Sequence, residues 1–170
     1  ADEAARLALE LLERHGRCPG ILQLAGQALL AEGRAEAALD PLQRLAQVAP
    51  EHAEGRTLLA TALLVERRFD ESVSQYERAV ALAPTPARRA ALGLALSLAG
   101  RAAEAVPLLE RLAEEQPEHV GAWINLGVAR AAAGRFEEAR AALLRALELD
   151  PDNAQARANL TDLDALLPKP

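Results

Sequence analysis

The stretch Val120–Asn153 decides the fold. It runs Val-Gly-Ala-Trp-Ile-Asn-Leu-Gly-Val-Ala-Arg-Ala-Ala-Ala-Gly-Arg-Phe-Glu-Glu-Ala-Arg-Ala-Ala-Leu-Leu-Arg-Ala-Leu-Glu-Leu-Asp-Pro-Asp-Asn. Trp123, Leu126 and Arg130 before Gly134, and Ala139, Leu143 and Ala146 after it, recur at helical spacing, so each half has one face to bury. The stretch reads as two short amphipathic helices joined by Gly134-Arg135 and closed by Asp150-Pro151.

The rest of the chain repeats this unit. Ala38, Ser72, Ala105 and Ala139 are separated by 34, 33 and 34 residues. Pro50, Pro84, Pro117 and Pro151 show the same three intervals, as do Gly26, Ala60, Gly93 and Gly127. Three columns with one spacing identify a repeat array. The missing residue lies in Pro84-Thr85-Pro86, and Pro86 is predicted at the first position of its helix, where the absent N–H would be unsatisfied anyway. This junction is expected to be the stiffest. Small residues in the Gly127 and Ala139 columns predict closely approaching helices, small against small. The second helices open with acids, Asp2-Glu3, Glu36, Asp70-Glu71, Glu104 and Glu137-Glu138, which complement the N-terminal partial charge of a helix. Pro41 and Pro107 fall early in second helices, where a local bend and not a break is expected.

Trp123, Leu126, Gly127, Ala139, Leu143, Ala146 and Pro151 resemble the tetratricopeptide repeat (TPR) pattern, whose length is 34 residues. The resemblance covers nearly the whole chain, although Leu22, Arg56 and Arg89 stand where the fourth unit has Trp123. It implies an all-α, right-handed α-solenoid of antiparallel helix pairs. The units are 19–52, 53–85, 86–119 and 120–153, preceded by the second helix of a truncated repeat (1–18) and followed by a capping helix and tail (154–170). Within the last segment Asn153–Leu166 is read as helix and Leu167-Pro168-Lys169-Pro170 as a tail or linker. The orphan half-repeat and the absence of an initiating Met predict an upstream neighbour.

Composition agrees with an all-α array. Of 170 residues, 51% are apolar yet only four are aromatic, and Ala and Leu dominate; both lose little side-chain freedom in a helix. The formal charge of −6 argues against nucleic acid or an anionic membrane as partner. No apolar run approaches the ~18 residues of a membrane span. Cys18 is the only cysteine, so neither an intrachain disulfide nor a thiolate cluster can form. No targeting segment is recognisable, and the compartment is left open.

Candidate chemistry is sparse. His52 and His119 occupy the same inter-unit turn two repeats apart and cannot share a metal, so they read, with His15, as exposed turn residues. Cys18 has no histidine placed to activate it. Glu114-Glu115 and Glu137-Glu138 are sequence neighbours that point about 100° apart on a helix, and Gly93 and Gly100 match no phosphate loop. Arg34, Arg68, Arg101 and Arg135 form a column that could hold an acidic segment, weighed against simple pairing with the following carboxylates. Catalytic residues, metal ligands and cofactors are therefore expected to be absent.

A groove is the sharper candidate. The resemblance puts first helices on the concave face, with Gln23, Leu24, Gln27 and Leu30 in the first unit and Thr57, Leu58, Thr61, Leu64 and Val65 in the second. Ala90, Ala91, Leu94, Ser97 and Leu98 follow in the third, and Ile124, Asn125, Val128, Ala131 and Ala132 in the fourth. This surface is apolar and nearly uncharged. Relatives that grip a C-terminal carboxylate use Lys, Arg and Asn in such columns, where only Asn125 and Asn159 fit, so a carboxylate clamp is not expected. The predicted function is a non-catalytic scaffold whose groove takes an apolar or amphipathic protein segment. One rival is an accessory domain of a multidomain enzyme or of an export or assembly machine. Another is homo-oligomerisation through the helix Ala1–His15, by way of Leu7, Leu11 and Leu12.

Overall fold

A computed structural model describes residues 2–166. The elements are α1 (Asp2–His15), α2 (Pro19–Ala31), α3 (Ala35–Val48), α4 (Ala53–Val65), α5 (Phe69–Leu82), α6 (Pro86–Leu98), α7 (Ala102–Glu115), α8 (Val120–Ala132), α9 (Phe136–Leu149) and α10 (Ala154–Leu166). Among the described residues there is no strand, and the fold is an all-α solenoid of helix pairs. The predicted tail, 167–170, lies outside the described residues. The chain divides into two compact units, Ala1–Pro84 and Thr85–Pro170. In the first, α1 packs on α2, α2 pairs with α3, α3 packs on α4, and α4 pairs with α5. In the second, α6 pairs with α7 and α8 with α9, while α8 also packs on α6 and α7, and α10 covers α8 and α9.

Each pair turns the same way. Gly33, Gly100 and Gly134 adopt φ of 72°, 77° and 74°, the left-handed conformation that ends a helix without steric cost in glycine. The next residue bonds back five positions, Arg34 N–H to the Leu29 carbonyl at 2.9 Å and Arg135 N–H to the Arg130 carbonyl at 2.8 Å. Between α4 and α5 the position is held by Arg67 at φ 59°, whose guanidinium lies 5.8 Å from the Phe69 ring centroid. Without a Cβ, glycine adopts this conformation more readily.

The first helices begin on a second periodic device. Cys18, His52, Thr85, His119 and Asn153, again 34, 33, 34 and 34 apart, all precede a helix. The His52 Nδ1 accepts from Gly55 N–H at 2.9 Å, the His119 Nδ1 from Ala122 N–H at 3.0 Å, Thr85 Oγ1 from Arg88 N–H at 3.3 Å, and Asn153 Oδ1 from Ala156 N–H at 3.0 Å. Each satisfies a backbone donor that the helix itself cannot. His52 and His119 are thus half-buried N-caps and not the exposed turn residues expected, and Asn153 caps α10 instead of belonging to it. Cys18 makes no side-chain cap bond.

The small columns meet, Ser72 Oγ donating to the Ala60 carbonyl at 2.8 Å, and a leucine joins them. A Cβ placed on Gly93 would stand 2.5 Å from Leu109 Cγ, and one on Gly127 would stand 2.7 Å from Leu143 Cγ and 3.3 Å from the Ala139 carbonyl oxygen. Each glycine is the socket for a leucine one turn past the small residue of the second helix. Where Ala60 replaces glycine, Tyr76 replaces that leucine, and its hydroxyl lies 3.0 Å from Thr61 Oγ1. Burial pushes the Tyr76 phenol pKa up.

Helices α3 and α7 continue through Pro41 and Pro107. The carbonyls four residues back, on Ala37 and Ala103, lose their helical donor, but both residues are exposed to water.

Candidate interaction face and cavity

In the first unit the predicted face is apolar and accessible on α2 and α4. Leu24 is 49% exposed and Val65 59% exposed, while Gln27 is open and Gln23, Leu30, Leu58 and Leu64 are half-buried. Thr57 and Thr61 spend their hydroxyls on the helix, donating to the Ala53 and Thr57 carbonyls at 2.9 Å each, and Thr61 also meets Tyr76. They add little polarity to that face.

In the second unit Leu94 and Val128 are half-buried and Leu98 is 43% exposed. Two predicted face residues are turned inward. Ile124, 4% exposed, sits in a cluster with Ala146 and Ala156 against Val120, Trp123 and Leu147. Asn125, 9% exposed, donates Nδ2 to the Ala90 carbonyl at 2.9 Å and so ties α8 to α6. Neither offers a free surface, because α8 packs its first turns on neighbouring helices and presents only later ones. Ala90 and Ser97 are buried likewise, Ser97 Oγ donating to the Gly93 carbonyl at 2.8 Å.

The accessible part of α8 opens on a cavity of about 150 Å³ lined by Gly127, Val128, Ala131, Leu143, Asn159, Asp162, Leu163 and Leu166. Val128 and Ala131 are residues of the predicted face. The other walls come from α9 and α10, and the sequence reading, which treated α10 as a cap, placed only its Asn159 in a face column. A signal for it existed, since Asn159 stands 34 residues after Asn125. Asn159 Nδ2 is buried with no hydrogen-bond partner among the described residues, so a donor waits in a wall that is apolar apart from it and the exposed Asp162.

The arginine column is neutralised. Arg68, Arg101 and Arg135 each donate Nε at 2.7 Å to the glutamate three residues on, Glu71, Glu104 and Glu138. Arg34 pairs instead with Glu32 at 3.3 Å. The hydrogen bonds from these arginines hold the three carboxyls below the usual carboxylate range. Arg135 also approaches Glu110 at 3.5 Å, which Arg130 holds at 3.0 Å, so this cluster joins α7, α8 and α9. Charge pairing occupies the column weighed above for an acidic segment.

Three members of the tryptophan column do one job with different side chains, while Arg89 pairs with Glu115 instead. Trp123 Nε1 donates to the Pro117 carbonyl at 2.8 Å, Arg56 Nε to the Pro50 carbonyl at 2.7 Å, and Arg157 Nη2 to the Pro151 carbonyl at 2.6 Å. Each fastens the inter-repeat proline turn to the helix that follows it. What read as a departure from the repeat pattern at Arg56 is therefore an equivalent donor.

Among the described residues no group of three His, Cys, Asp or Glu side chains is placed to hold a metal, and no helix is long and apolar enough to cross a membrane.

Family models described as tetratricopeptide repeat match residues 57–99 and 96–163. No curated protein matches the sequence significantly. Among solved structures, TTC0263, a thermophilic TPR protein of Thermus thermophilus, is similar with a TM-score of 0.76 and 21% identity, covering 97% of this chain and 91% of that one. YrrB, described as a TPR protein with an unusual peptide-binding site, is similar with a TM-score of 0.69 and 20% identity over 95% and 84% of the two chains. MamA from residue 41 onward, of Desulfovibrio magneticus RS-1, gives a TM-score of 0.71 and 22% identity over 86% and 84%. These likenesses are of fold. Joined to the family matches and to the 34-residue columns, they establish that the chain belongs to the tetratricopeptide repeat family.

Proposed function

We propose that this TPR protein is a non-catalytic scaffold that seats an apolar side chain of a partner segment in the cavity over Gly127, with the segment running past the half-buried Val128 and Ala131 of α8. TPR proteins bind protein or peptide partners, and the fold suits the chain to protein–protein interaction. The observation that carries the finer reading is the coincidence of the cavity with Val128 and Ala131 of the predicted face. A volume of about 150 Å³ suits one aliphatic side chain, and dry apolar cavities of this size accept hydrocarbon guests. Asn159 Nδ2 supplies the polar selection: a carbonyl on the guest segment relieves a buried donor, whereas a wholly apolar guest does not. YrrB's peptide-binding site lends the reading support from a protein of the same fold.

The test is to select peptides from a random displayed library on the full chain and to measure their affinity for the variant Ala131→Leu. The added isobutyl group enters the cavity from a partly open wall, so the fold is retained and circular dichroism stays unchanged. Loss of at least tenfold in affinity, about 1.4 kcal/mol, supports the proposal. Peptides that bind Ala131→Leu as tightly as the parent overturn it.

A further inference from the structure

A second pocket lies wholly in the first unit. It has a volume of about 290 Å³ and is lined by Pro50, Glu51, Arg56, Arg78, Ala81 and Leu82. Arg56 is 7% exposed, and its hydrogen bonds go to neutral acceptors alone, Nε to the Pro50 carbonyl and Nη1 to Gln75 Oε1 at 2.8 Å. It has no carboxylate partner among the described residues, and Nη2, with no acceptor there, is the part of the guanidinium that solvent reaches. Burying a cation without a counter-charge is costly. The fastening of the proline turn does not require that charge, since the neutral Trp123 does the same at Pro117. Arg78, exposed on α5, adds a second cation to the pocket wall, and Glu51 subtracts one, leaving a local charge of +1 from two arginines and one glutamate on a chain of −6.

We infer that this pocket receives a carboxylate side chain from a partner protein, with Nη2 of the largely buried Arg56 as the donor and Arg78 as the second cation at the wall. Pro50, Ala81 and Leu82 give the wall an apolar part suited to a glutamate's methylene stem, and the guanidinium end matches a carboxylate's planar geometry. The inference is independent of the cavity at α8, which lies in the other unit and takes an apolar guest.

The experiment follows the Arg Nε–H resonances of the ¹⁵N-labelled full chain while N-acetyl-glutamate N-methylamide is added at constant ionic strength. The glutamine analogue and inorganic phosphate are run alongside. A saturable shift at Arg56 with the glutamate probe and none with the glutamine probe is expected. Arg78→Gln, at an exposed position, should weaken the apparent affinity about threefold, and Glu51→Gln should tighten it. The inference is overturned by equal responses to the glutamate and glutamine probes, by saturation with phosphate alone, or by affinities that neither substitution moves.

Discussion

Replacing Gly93 by alanine is expected to destabilise the protein even though alanine is the better helix former. The added Cβ would stand 2.5 Å from Leu109 Cγ, 2.6 Å from Cδ2 and 2.7 Å from Cδ1. Carbon atoms settle at about 3.5–4.0 Å, so Leu109, which is fully buried, must retreat by about 1 Å. Overpacking of this kind costs about 1–3 kcal/mol, while alanine in a helix returns about 0.5–1 kcal/mol. The balance is a loss of up to about 2.5 kcal/mol, about 1 kcal/mol at the middle of both ranges. Gly20→Ala is the control. Nothing lies within 4 Å of its added Cβ, so it should gain stability. Urea unfolding followed by circular dichroism reads both, provided the slopes agree. A double-mutant cycle with Leu109→Ala isolates the clash, because truncating the leucine empties the space that the new methyl needs; a coupling of about 1–3 kcal/mol is expected. If Gly93→Ala stabilises as Gly20→Ala does, or if the two changes at Gly93 and Leu109 are additive, the socket account of the glycine column is wrong.

Three further outcomes follow from the periodic devices. Cys18→Asn should stabilise the protein by about 0.5–2 kcal/mol by filling the one cap position of the column whose side chain makes no cap bond, and His119→Ala should lose a similar amount, both read from urea midpoints. Trp123→Phe keeps the apolar ring but drops the donor to the Pro117 carbonyl, a loss of about 0.5–1.5 kcal/mol, whereas Trp123→Arg should retain that bond as Arg56 does, detectable as protection or exposure of the turn in hydrogen exchange. Glu71, Glu104 and Glu138 have native pKa values below their unfolded ones, so the stability they contribute is present above the ordinary carboxylate pKa of about 4.3 and disappears as the pH falls through the lower native values. Arg101→Gln should flatten the acid limb of the pH–stability curve that Glu104 contributes, and high salt should flatten the whole limb.

The repeat was legible because its columns are backbone requirements. Prolines stop helices, glycines allow left-handed turns and leucine sockets, and apolar residues return every three to four positions, so spacing alone exposes the helix pairs. The orientation of individual side chains within a first helix was not legible. Ile124 and Asn125 lie in face columns whose first-unit members, Gln23 and Leu24, are half-buried and exposed, yet packing of α8 on α6, α9 and α10 turns them inward. The cap column escaped notice because several residue types fill it, and histidine is seldom sought as a cap. The Trp123 column was misjudged for a related reason: indole and guanidinium look unlike in a pattern but offer the same N–H to the same carbonyl. The cavity needed three helices in place before it existed, so only Val128, Ala131 and Asn159 of its walls were placed in face columns by the repeat register.

The central claim is that a partner's apolar side chain enters the cavity formed by α8, α9 and α10. Intermolecular nuclear Overhauser effects between a library-selected peptide and the methyl groups of the labelled full chain test it most directly. Contacts from one peptide side chain to Val128, Leu143 and Leu163 together are predicted. Contacts confined to the outer residues Leu98 and Leu144, with none to those three residues, would contradict it.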